Sequence, residues 1–154
     1  MKIRELRKTD TAEWARLRRA LWPDCKGARA RLEMRELRGD PEKFGVIVLE
    51  RRDGRLAGFV EVALRDGVDG AARKVTAFLE GWFVEADARG RGWGNKLIAA
   101  AERWARARGM VELASDAELD NAGGIAAHRA AGFRETFRVV QFLKRVGRGR
   151  ARRR

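Results

Sequence analysis

The sequence predicts an α/β domain, a mixed and mostly antiparallel sheet with helices on both faces. Three observations carry this expectation. Apolar runs at Phe44–Arg51 and Leu56–Leu64 flank Asp53-Gly54, a strong two-residue hairpin signal. A further apolar run, Val75–Val84, is followed by an Arg/Gly-rich turn and then an amphipathic helix. Strands and helices also mix without strict alternation, which argues against a purely parallel sheet. A chain of 154 residues, 45% hydrophobic, suits one domain and buries roughly two-thirds of its unfolded surface.

Each element has a local reason. Lys2–Leu6 alternates weakly and predicts a first strand. Asp10 and Glu13 have capping-box spacing, and Trp14, Leu17 and Leu21 follow at helical intervals until Pro23 closes the segment. Gly27–Leu37 predicts a short charged helix, stopped by Gly39-Asp40-Pro41. Leu56–Leu64 pairs back on Phe44–Arg51, and Asp66–Arg73 is a loop. Val75–Val84 is a buried strand interrupted by Glu80-Gly81, and a glycine inside a strand pattern signals a bulge. The next helix carries the stripe Leu97, Ile98, Ala101, Trp104 and Ala105 and stops at Gly109. Met110–Ala114 is a short strand. Asn121 caps a small-residue helix, Ala122–Ala131, ended by Gly132, and Phe133–Lys144 supplies final strands. One domain is expected over residues 1–145, with an Arg-rich and disordered tail at 146–154.

Composition narrows the function. No apolar stretch approaches the roughly 20 residues of a membrane span, and Met1-Lys2-Ile3-Arg4-Glu5 has no signal-peptide core. The single cysteine, Cys25, cannot form an internal disulfide and fits a reducing compartment, so a cytoplasmic location is expected. The formal charge is +13, but six arginines lie within Arg145–Arg154, leaving +7 on a body of interleaved signs. Such a tail would hold nucleic acid only non-specifically. The body has neither zinc-finger spacing nor basic-region heptads, and no metal site is expected. A cationic substrate would require the acids to cluster locally.

The informative element is the strand, the turn Arg89-Gly90-Arg91-Gly92-Trp93-Gly94 and the helix after it. A helix start carries unpaired N–H groups and a partial positive charge, and glycines let the backbone approach a phosphate. Arg89 and Arg91 add charge suited to a diphosphate. The spacing is neither the dinucleotide Gly-x-Gly-x-x-Gly fingerprint nor a P-loop. The turn is an anion cradle whose anion the chemistry alone leaves open.

This segment resembles the (Arg/Gln)-x-x-Gly-x-(Gly/Ala) motif of the GNAT N-acetyltransferases, with Asn121 and Gly132-Phe133 at the family's downstream positions. The likeness sharpens at Trp14, Leu21-Trp22-Pro23, Phe78-Leu79-Glu80-Gly81, Leu97-Ile98-Ala99-Ala100, Ala114-Ser115-Asp116 and His128-x-x-x-Gly132-Phe133. These are similar to the chromosomal-type aminoglycoside 6'-N-acetyltransferases, over about residues 1–145.

The resemblance implies a GNAT fold in which two central parallel strands, Val75–Val84 and Met110–Ala114, splay to admit acetyl-CoA. Pantetheine would pair with the strand edge at Phe83 and Val84. The diphosphate would sit on Arg89, Gly90, Arg91, Gly92, Trp93 and Gly94, with Asn95, Lys96 and Asn121 also on the cofactor. The Val84 backbone N–H would polarise the thioester carbonyl. Glu80 would accept the amine's proton, unless it is a strand-end acid paired with an arginine. His128 stands where many members carry a tyrosine that protonates the leaving thiolate. Trp22, Asp66, Glu80, Asp116 and Glu135 match positions associated with substrate binding. The loop Arg65–Arg73 departs from the family in lacking an aromatic residue at position 66. Trp82, Trp93 and Trp104 are expected in the core or an interface.

The function implied is direct acetyl transfer from acetyl-CoA to an aminoglycoside amine, the 6'-amine, without an acetyl-enzyme on Cys25, and hence antibiotic resistance. A homodimer is implied as well, with the C-terminal strands contributing to its contact. Two rivals remain open. One is a GNAT enzyme acting on a polyamine, a small metabolite or a protein N-terminus. The other is a binding protein that uses the Arg-rich tail.

Overall fold

The computed structural model describes residues 1–147. Five strands form one sheet in the order β1 (Lys2–Glu5), β2 (Phe44–Glu50), β3 (Leu56–Asp66), β4 (Val75–Val84) and β5 (Leu113–Ser115). The first four are antiparallel neighbours, and β5 runs parallel to β4. The helices are α1 (Thr11–Leu21), α2 (Gly27–Gly39), α3 (Trp93–Ala107) and α4 (Ala122–Ala130).

Both faces of the sheet are covered, so β2 and β3 are apolar on both sides. Ile47, Leu49, Ala57, Val60 and Val62 pack against α3, whose predicted stripe is buried throughout. Val46, Val48, Leu56 and Phe59 meet Trp14 and Leu17 of α1 and Met34 of α2 on the other face. Gly45 makes the α3 packing possible. A Cβ there would meet the Trp104 Nε1 at 2.3 Å, so only glycine lets that indole lie across β2.

Two irregularities set the geometry of the free end of β4. Leu79 opposes Val62 and Gly81 opposes Glu61, so consecutive β3 residues skip Glu80. Glu80 is the extra residue of a β-bulge, as the Glu80-Gly81 interruption predicts. β5 then pairs with β4 only at Ala77, Phe78 and Leu79. Beyond Leu79 β5 has ended, at Ser115, and the β4 edge continues alone to Val84.

Several expectations are corrected. Asp10 is the N-cap residue of α1, but the capping box does not form there. Its carboxylate instead accepts from Arg4 and from the Arg7 N–H, while Glu13 accepts from Arg16 and the Leu56 N–H. β3 runs on to Asp66, and the short parallel strand is Leu113–Ser115 rather than Met110–Ala114. No strand forms over Phe133–Lys144. The segment is rich in aromatic and β-branched residues, but β5 is only three residues long and no strand pairs with this segment, and Phe142 and Leu143 stand 89% and 96% exposed. Of the predicted tail, residues 148–154 lie outside the described residues. No helix among the described residues is long and apolar enough to cross a membrane.

Candidate active site

A cleft of about 660 Å³ opens between the α1–α2 connection and the sheet, lined among others by Trp22, Cys25, Glu33, Glu61, Arg65 and Glu80. Period two along β3 sends Phe59, Glu61, Ala63 and Arg65 to this side. The bulge turns Glu80 to the same side, where Arg65 grips it at two points. The Arg65 Nε donates to Oε1 at 2.6 Å, and Nη2 donates to Oε2. The strand-end alternative, an acid paired with an arginine, is therefore the state seen here. The Arg65 guanidinium also lies 3.8 Å from the Phe78 ring centroid.

Glu61 forms the floor. It is 1% exposed, and its Oε1 accepts from the Trp14 Nε1 at 2.7 Å and lies 2.9 Å from the Arg18 Nε. Burial raises its carboxyl to about 7, against the pull of Arg18. Arg18 also reaches Glu33 at 3.1 Å and stacks under Trp22 at 4.9 Å. Its Nη1 is buried without a hydrogen-bond partner among the described residues. Trp22 packs against Gly81, where a Cβ would meet the indole Cη2 at 2.4 Å. The Cys25 thiol donates to Glu33, and burial pushes its pKa up, which opposes thiolate formation.

The other half of the site is the open β4 edge. The Glu85 N–H donates to the Ala57 carbonyl at 2.8 Å, so these two form a hydrogen-bonded pair of the ladder. Pairs alternate along an antiparallel ladder, so Val84 and its partner Gly58 form a non-bonded pair. The Val84 N–H and C=O therefore point away from β3, toward the side where β5 has ended. The Arg89 Nε marks this direction by donating to the Val84 carbonyl at 2.7 Å. Phe83 bonds back to β3 by the same alternation, so its backbone is not offered at the edge; that of Trp82 is.

The edge leads into the turn. Gly90 and Gly92 have φ of +68° and +76°, which a side chain would strain. Gly92 caps α3 without a side-chain bond. The N–H groups from Gly90 to Asn95 have no acceptor among the described residues. Arg89, Arg91, Asn95 and Lys96 are exposed around them, and Trp93 carries Lys96 over its ring at 4.3 Å. These donors fit a diphosphate in number and kind. Asn121 caps α4 by accepting from the Gly124 N–H at 2.8 Å.

His128 lies beside the end of β5, against Ser115 and Trp82. Its Nδ1 must donate to the Gly124 carbonyl, at 2.7 Å, because a carbonyl only accepts. Nε2 meets the Ser115 Oγ at 2.8 Å, and that hydroxyl also lies 3.3 Å from the Leu79 carbonyl. A neutral imidazole accepts from the Ser115 hydroxyl in this bond. An imidazolium donates its own proton and turns the hydroxyl toward Leu79. Trp82 and Phe133 pack edge-on against the ring.

Three predicted substrate acids stand outside the cleft lining. Asp66 follows Arg65 and so points to the opposite side, at the exposed end of β3. Asp116 is exposed just past β5. Glu135 sits in the loop after α4, held by Arg129 and Arg138, which lower its carboxyl to about 2. Arg65, Glu61, Ser115 and the Trp82 edge were not anticipated. Only Glu61 gave a local sign, an acid inside Phe59-Val60-Glu61-Val62. Among the described residues no group of three or more His, Cys, Asp and Glu could hold a metal ion.

Comparison with known proteins agrees with this fold. The family model described as "Acetyltransferase (GNAT) family" matches residues 13–133. The chain is 43% identical over 142 residues to an aminoglycoside N(6')-acetyltransferase type 1 of Stenotrophomonas maltophilia, covering 91% of this chain and 90% of the relative. It is similar to the apo crystal structure of the aminoglycoside 6'-N-acetyltransferase AAC(6')-IG from Acinetobacter haemolyticus, at 33% identity and a TM-score of 0.87, covering 96% and 100% of the two chains. It is also similar, at 34% identity and 0.86, to AAC(6')-Iy in complex with the bisubstrate analog CoA-S-monomethyl-acetylneamine, covering 94% and 97%.

Proposed function

The chain belongs to the GNAT acetyltransferase family, and on that premise we propose that it transfers the acetyl group of acetyl-CoA to an amine of aminoglycosides, the 6'-amine, and so confers resistance to them. One observation carries the reading: an unpaired strand edge joins a turn of free N–H groups to a carboxylate in an acid-rich cleft. The cleft lining holds five carboxylates against three guanidiniums, on a chain whose overall charge is +13. That local reversal of sign suits a polycation.

The acetyl thioester of the coenzyme supplies the electrophilic carbon when bound. The N–H groups of residues 90–95 hold its diphosphate, and the outward backbone of Trp82 and Val84 aligns the pantetheine. The Val84 N–H donates to the carbonyl oxygen, where negative charge grows during attack. An ammonium has no lone pair, so its proton must leave first. Glu80 takes it, and because four residues span about 13 Å of strand, it does so through water. An imidazolium at His128 gives its Nε2 proton to the Ser115 oxygen, whose own proton passes to the departing thiolate, and the second proton shed by the acylated nitrogen recharges the imidazole through water. Cys25 takes no part, and transfer is direct.

A thiol-release assay with kanamycin and tobramycin against spermidine and a peptide N-terminus tests the reading. Release with the antibiotics, and Glu80→Gln lowering turnover at neutral pH with partial recovery at high pH, is the expected outcome. Release only with spermidine or the peptide would overturn the substrate assignment. Two copies are proposed to associate through residues 137–146, whose apolar side chains stand exposed. A cytoplasmic location and non-specific nucleic-acid contact by the Arg-rich tail complete the proposal.

A further inference from the structure

We propose that Arg65 is a built-in stand-in for the substrate's ammonium, which each acceptor must displace from Glu80 before reaction. This rests on Glu80 being the proton acceptor. The Glu80 carboxylate is engaged at both oxygens by one guanidinium, which takes one acceptor position on each and offsets the charge an incoming ammonium would seek. An ammonium seated on Glu80 therefore competes with Arg65, and the pair opens for each acceptor bound.

Opening is cheap here for two structural reasons. The pair is only partly withdrawn from water, with Arg65 45% and Glu80 23% exposed at the side chain, and such pairs hold weakly. Arg65 also has a second seat. Its guanidinium already stacks on Phe78 at 3.8 Å and keeps that contact when the carboxylate is taken over. The arriving ammonium replaces one cation by another, so Glu80 never faces the cleft uncompensated. Glu61, directly opposite Gly81 on β3, is already held by Trp14 and Arg18 and offers Arg65 no alternative acid. Arg65 thus lowers apparent acceptor affinity by the fraction of enzyme in which it is seated. It leaves the chemical step untouched.

The test is the split between KM and kcat in Arg65→Gln, with kanamycin as acceptor. Displacement predicts that acceptor KM falls about fivefold, the upper range for such a pair, with kcat and the acetyl-CoA KM unchanged. Arg65→Lys, which keeps the charge but only one donor point, should fall between. Guanidinium chloride at low millimolar concentration should raise the acceptor KM of Arg65→Gln toward the unaltered value, and leave the unaltered enzyme unmoved. A fall in kcat would show instead that Arg65 orients Glu80 during catalysis, and would overturn the proposal. So would an equal KM effect from Arg29→Gln, a cleft arginine paired with Glu33, because that would mean bulk charge alone. Any thiol release from the unaltered enzyme with kanamycin upholds the functional reading independently, so a KM unmoved by Arg65→Gln defeats the displacement alone.

Discussion

Gly81→Ala probes the cleft wall with one methyl group. Gly81 has an ordinary φ, so alanine meets no backbone strain, but its Cβ would stand 2.4 Å from the Trp22 Cη2 and 2.8 Å from Cζ2. Ordinary contact needs about 3.4 Å or more. The indole is rigid, so the whole ring must retreat by about 1 Å. Trp22 is not free to do so without loss. Its ring packs edge-on against Phe59 at 6.1 Å and over Arg18 at 4.9 Å, and its N–H closes α1 on the Arg18 carbonyl. Overpacking of this kind costs about 1–3 kcal/mol. For a chain of this size that lowers the melting temperature by roughly 3–10 °C. Calorimetry measures the loss, and steady-state kinetics should show a raised acceptor KM with the acetyl-CoA KM unchanged, because the open β4 edge keeps its backbone. The decisive comparison is a double-mutant cycle with Trp22→Leu. If the indole is the obstacle, Gly81→Ala should cost about 1 kcal/mol less in that background. Strict additivity would refute the contact as the cause.

Gly92→Val should raise the acetyl-CoA KM at least tenfold with little effect on acceptor KM, since a β-branched residue cannot hold φ +76° at the start of α3; equal effects on both would remove the turn from cofactor binding. Ser115→Ala strips Nε2 of His128 of its partner and should lower kcat about fivefold; an unchanged kcat would exclude that pair from proton delivery. Glu61 predicts a pH signature. Its carboxyl is raised from about 4.5 to about 7 by burial, so its contribution to stability is full below pH 4.5 and is lost as pH rises toward 7. Melting temperatures from pH 5 to 8 should therefore fall more steeply for the unaltered protein than for Glu61→Gln, by an amount equivalent to about 3 kcal/mol at most. Parallel curves would contradict the shifted carboxyl.

How much could be foreseen depends on the range of the interactions. The bounds of β4, the stripe of α3 and the irregularity at Glu80-Gly81 were legible because periodicity and a polar-glycine interruption are local signals. Position along the chain does not reveal strand register, and register decided the rest. Arg65 reaches Glu80 only because β3 and β4 pair as they do. Asp66, one residue further on, is sent to the other side by the same alternation. For a related reason the backbone of Trp82, and not that of Phe83, lies free at the edge: which backbone groups of β4 are free depends on its partner strand. The expected C-terminal strands failed differently. Phe133–Lys144 has the aromatic and β-branched residues of a strand, but a strand also needs a neighbour, and the segment's own sequence does not specify one.

The bulge in β4 bears on how this site could arise or vanish. Ala77 and Leu79 pack toward α3 before it, and Trp82 and Val84 pack toward α3 after it, so the inward positions change from odd to even at residue 80. The ladder needs one residue fewer than the chain supplies. A chain lacking Glu80 would keep every inward side chain in place and close into an uninterrupted strand. The acid is thus a supernumerary residue, gained or shed by a single codon without disturbing the scaffold that presents it.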